Sequence, residues 1–132
     1  MTIRLAACFG AAFLIGCSDG GEGAGPGNTL VFADRQARQC ESDGITVEAS
    51  ALVLINAGID VIESTCGHRT GVAFPAVCGG PTSDILIHEM RTVNVGDAAA
   101  LGFADVSTLV NAAAGTGYVA LDCTDRAPVP TP

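Results

Sequence analysis

Thr46–Cys66, TVEASALVLINAGIDVIESTC, carries the fold of this chain, because its apolar pattern changes period at a single glycine. Before Gly58, the residues Val47, Ala51, Leu52, Leu54 and Ile55 fall on a helical face, with Thr46 suited to cap the helix and Glu48 in its first turn. After Gly58 the pattern alternates, setting Ile59, Val61 and Thr65 on one side and Asp60, Ile62, Ser64 and Cys66 on the other. A glycine at that point lets Ile59 fold back on Leu54 or Ile55. The stretch therefore predicts a helix packed against the strand that follows it.

Toward the amino end, TLVFA at Thr29–Ala33 predicts a strand, and the polar connection Arg35–Gly44 holds Cys40. Toward the carboxyl end, Gly67–Ser83 predicts a loop and DILIHEMR at Asp84–Arg91 a strand, with Ile85 and Ile87 opposite Leu86, His88 and Met90. A short helix is expected over Asp97–Leu101. It again ends in a glycine and a large apolar residue, so NAGIDV and ALGFADV echo one another as two similar helix ends. A helix or turn over Asp105–Ala114 and a last strand over Gly117–Cys123 complete the pattern. This order predicts one α+β domain over residues 29–125: a small two-layer sandwich, mostly antiparallel, with helices on one face. A ferredoxin-like arrangement is the first expectation.

The amino-terminal segment carries an address. Met1–Arg4 has one positive charge, and Leu5–Ile15 contains no charged or strongly polar side chain. A membrane-spanning helix needs about twenty apolar residues. A charged start, a short apolar core and small residues at its end have instead the layout of a secretory signal. Leu14-Ile15-Gly16-Cys17 resembles the lipobox of bacterial lipoproteins. That resemblance implies a signal peptide over residues 1–16, cleavage before Cys17, acyl chains such as palmitate on Cys17, and anchoring in a membrane of the cell envelope. Two or more acyl chains hold firmly where one does not. Ser18, where inner-membrane retention would place an aspartate, favours the outer membrane, facing the periplasm. A glycine-rich linker is expected over residues 17–28 and a frayed tail, RAPVPTP, over 126–132.

With Cys8 lost in the signal and Cys17 acylated, Cys40, Cys66, Cys78 and Cys123 remain. An even count in an oxidising compartment reads as two disulfides. The favoured connectivity joins Cys66 to Cys78, framing the loop CGHRTGVAFPAVCGG, and Cys40 to Cys123. Its main rival joins Cys40 to Cys66.

Fourteen Asp and Glu residues stand against six basic ones, all arginine, for a formal net charge of −8. Such a surface repels phosphate backbones and excludes nucleic acid as a natural partner. No catalytic or cofactor-binding motif stands out. Ser64, Asp84 and His88 are the residue types of a hydrolytic triad, but no G-x-S-x-G accompanies them. Glu63 and Glu89 either meet across the sheet as a carboxylate pair or line a solvated face. His88 is expected at the sheet surface and His68 in a loop. Cys66, His68, Cys78 and His88 offer zinc-type donors without a common zinc spacing. Cys66 beside His68 and Arg69 would suit thiol-redox chemistry only if unpaired. Gly67–Pro81 is either a recognition loop, through Arg69, Phe74 and Pro75, or a loop stapled for stability alone.

QCES, GIDV, STCG and VCGG resemble the spacing in small uncharacterised bacterial secreted proteins, a resemblance that implies no activity. The leading expectation is a non-enzymatic envelope lipoprotein, a binding module with a possible envelope protein partner. A small thiol-redox enzyme or metal-handling module using Cys66 and His68 is the alternative.

Overall fold

The computed structural model describes residues 24–124. The signal peptide, Cys17, the first part of the linker and the tail lie outside the described residues.

The helix of the opening stretch is α1, Val47–Asn56, and its first turn is closed by the Thr46 hydroxyl, which accepts from the Ala49 amide at 3.1 Å. At its far end the Gly58 amide bonds to the Ile55 carbonyl and the Ile59 amide to that of Leu54. Gly58 takes φ +83°, which a glycine adopts without strain. This is a Schellman cap, and it delivers the chain into β2. The echo in the sequence is the same device. After α2, Val95–Ala100, Gly102 at φ +95° bonds to Ala99 and the Phe103 amide to the Ala98 carbonyl. Ile59 and Phe103 then plug one core with Val31, Leu54, Met90 and Ala98.

The helix does not bury the face its periodicity suggested. Ser50, Ala51 and Leu54 are buried, while Leu52, Val53 and Ile55 are exposed. α1 is apolar nearly all round, so hydrophobicity alone does not choose its face. Ser50 turns inward because a buried histidine receives it.

Five strands form one sheet: β1 Asn28–Asp34, β2 Val61–Thr70, β3 Asp84–Arg91, β4 Ala104–Asp105 and β5 Gly117–Leu121. Their order is β4-β1-β3-β2-β5, and all neighbours are antiparallel. Two expectations need correction. β2 runs four residues past Cys66, so Gly67, His68 and Arg69 stand on a strand and not in a loop. Pairing with β3 on one side and β5 on the other holds them there. The strand on the outer side of β1 is also one that the sequence reading did not give. A two-residue β4, read from sequence as part of a helix or turn, takes that edge, and β5 lies on the opposite one beside β2. Between them the 3-10 turn Val106–Leu109 places Val106 in a second core with Phe32, Ile85 and Ile87.

The end of the expected linker belongs to the domain. Gly25 donates its amide to Glu89 Oε1 at 2.9 Å, Asn28 Nδ2 reaches the same oxygen at 3.1 Å, and the Thr92 amide bonds to the Gly27 carbonyl. Residues 25–28 are thus a turn docked on the end of β3.

Candidate functional site

The connections 35–46 and 71–83 meet at one end of the sheet, where β1 and β2 end and β3 begins. They are zipped together. Gln39 donates its amide to the Gly80 carbonyl at 3.0 Å and accepts from the Gly79 amide at 2.8 Å. Its buried side-chain nitrogen donates to the carbonyls of Pro75 and Pro81 at 2.7 and 2.9 Å. The Cys40–Cys78 disulfide closes the same seam, and Cys66–Cys123 ties the chain beyond β5 to the middle of β2.

The four cysteines therefore form two disulfides in neither expected connectivity. Cys66 sits inside β2 opposite Leu121, only two residues from Cys123. Cys78 lies on the loop beyond the strand end, against the segment holding Cys40. The ring that looked shortest in sequence, Cys66 to Cys78, is blocked by the four further strand residues of β2.

The platform so formed presents Val72, Pro75, Val77 and Pro81 to solvent, with Phe74 half-buried. The turn before β5 abuts it, since Gly71 packs on the Gly115 carbonyl closely enough to leave no room for a Cβ. Phe74 and Pro75 belong to this loop as expected. Arg69 does not: it projects from β2, 3.7 Å from Asp34 in an ion pair and 5.7 Å above the Phe32 ring. On the other face of β2, the register sets His68 beside Asp84, whose carbonyl accepts the Arg35 amide at 3.1 Å. Arg35 Nη1 lies 3.8 Å from Cys66 Sγ. Among the described residues, the buried side-chain polar atoms without a hydrogen-bond partner are Arg35 Nε, His68 Nδ1 and Arg69 Nε, all at this end. His68 is thus a half-buried strand residue, not a solvated loop one.

A second polar cluster lies under α1. His88, expected at the sheet surface, is fully buried. Ser50 Oγ of α1 is 2.8 Å from its Nε2, and Ser64 Oγ of β2 is 2.7 Å from its Nδ1. The Phe103 ring meets it edge-on at 5.7 Å. Burial lowers its pKa to about 4, so at neutral pH the ring is uncharged, donating from one nitrogen and accepting at the other. Ser64 and His88 do meet, but Asp84 is not their third member. A serine occupies the position from which a carboxylate would stabilise an imidazolium. The arrangement is a neutral hub that locks α1 to the sheet.

Glu63 and Glu89 face each other in register, yet Glu89 is engaged by Gly25 and Asn28 while Glu63 is exposed. The zinc set is not assembled, because Cys66 and Cys78 are held in different disulfides. The thiol-redox alternative required a free Cys66, which its bond to Cys123 does not leave.

Sequence reasoning missed Gln39 and Ser50. Gln39 precedes Cys40 in a polar stretch and gives no periodic signal. Ser50 lies inside an apolar helix, where a polar residue beside Ala51 and Leu54 was the one available clue. Comparison with protein-family models, with curated proteins and with solved structures finds no match.

Proposed function

We propose that this protein is a cell-envelope lipoprotein, anchored through acylated Cys17 in the outer membrane and facing the periplasm, that acts as a non-enzymatic binding module. The recognition surface in this reading is the braced loop platform. The observation that carries it is polarity of position: the chain joins the sheet at Asn28, and the platform lies at the opposite end of β1. A tether on one end leaves the other free to meet a partner.

Bracing supports the same reading. The Cys40–Cys78 disulfide and the buried Gln39 fix the platform before any partner arrives, and preorganisation lowers the ordering cost of binding. Disulfides also fit an oxidising compartment outside the cytoplasm. For the architecture we infer a ferredoxin-like sandwich with β5 added at one edge. The order β4-β1-β3-β2, with α1 and α2 in the two crossovers, supports it, as does the presence of Leu54 and Ala98 in one core.

Photo-crosslinking in cells tests the binding role. A photoreactive residue at Val77 or Val72 is expected to capture one and the same envelope protein, and one at Val53 to capture none. Absence of an adduct from both platform positions contradicts the proposal.

A further inference from the structure

The end of the sheet opposite the platform holds a group of apolar side chains facing water. β1 begins there with Asn28 paired to Arg91, and β2 begins there with Val61 paired to Met90. The last turn of α1 arrives at the same end before entering β2. These elements bring Ile55, Ile62 and Val93 to one pole, and Val93 is 80% exposed and Ile62 52%. Large aliphatic side chains at such exposure lose favourable burial unless something covers them.

The position of the anchor says what covers them. Gly25 is fixed to Glu89 at this pole, so if Cys17 is acylated only residues 18–24 separate the lipid from the domain. Seven residues reach about 25 Å at most, whatever their conformation. At that range the bilayer surface is presented to the pole at an effective concentration in the millimolar range, so a weak apolar contact suffices. We propose that this pole seats on the lipid surface, with Ile55, Ile62 and Val93 in the interfacial layer and the loop platform turned outward. The inference rests on the acylated Cys17 proposed above. Asp60 and Glu63 flank Ile62, with Arg91 the cation at this pole, which favours zwitterionic over anionic headgroups.

The chain contains no tryptophan, so a single introduced indole reports its own depth. Full-length protein carrying Val93→Trp, Ile62→Trp or Val77→Trp is produced in a bacterium, extracted from membranes, checked by intact mass and reconstituted in phosphatidylcholine vesicles brominated near the headgroup. Quenching several-fold stronger for Val93→Trp and Ile62→Trp than for Val77→Trp, with blue-shifted emission, is the expected result. Acylated protein in which neither polar indole is quenched more than Val77→Trp overturns the seating and leaves the anchor standing. An unmodified Cys17 overturns both.

Discussion

His88 sets the pH response of the fold. Its folded pKa of about 4 lies below the unfolded value near 6.5, so the unfolded chain binds the extra proton between these limits. The contribution is complete above about pH 6.5 and is lost as pH falls toward 4, amounting to about 3 kcal/mol at most. Denaturant unfolding at pH 7, 5.5 and 4 measures the loss, and the His88 ring resonances are expected to titrate near 4. A midpoint near 6.5 contradicts the buried hub. Replacing Ser64 by alanine strands one ring nitrogen and is expected to cost about 1–3 kcal/mol at pH 7. Two glycines separate conformational cost from collision. Gly102→Ala has open space around it and only an unfavourable φ, so about 1 kcal/mol is expected. Gly44→Ala combines φ +75° with a Cβ aimed into the Arg35 carbonyl, and about 3 kcal/mol is expected from the same unfolding experiment.

At the level of elements, the disulfides are the main restraint on the unfolded chain. Their separations of 38 and 57 residues correspond to about 4 kcal/mol each by loop-closure entropy. Cys40→Ser with Cys78→Ser is expected to loosen the platform, seen as faster amide exchange across residues 36–44 and 71–82, while the β1–β3 ladder stays protected. Loss of protection in that ladder instead contradicts the platform as a separate braced unit. The helices and strands with clear period were legible in sequence: α1 with its Thr46 cap, β3, and the paired glycine stops at Gly58 and Gly102. The rest depended on contacts distant in the chain. Residues 67–70 look like loop because Gly67 and His68 carry no β signal, and the ladders to β3 and β5 make them strand. β4 is two residues long and exists because β1 offers an edge. The disulfide pairing followed which segments dock, not which cysteines are near in sequence. Of the candidate site, Phe74 and Pro75 were legible on their loop. Arg69 was misplaced with the strand end, and Gln39 was silent because its role lies in two carbonyls more than thirty residues away.

At the scale of the whole molecule, the domain has two poles. One receives the chain through the turn at residues 25–28 and exposes Ile62 and Val93; the other displays the braced loops. Whether that polarity serves a tethered receptor-like module turns on Cys17. Intact-mass analysis of the membrane-extracted, non-reduced protein tests this most directly. The expected mass is that of a chain beginning at Cys17, increased by a diacylglyceryl group on sulfur, with or without a third acyl chain on the new amino group, and lacking four hydrogens for two disulfides. A mass showing an unmodified Cys17, a retained residue 1–16 segment, or free thiols among the other four cysteines contradicts the account.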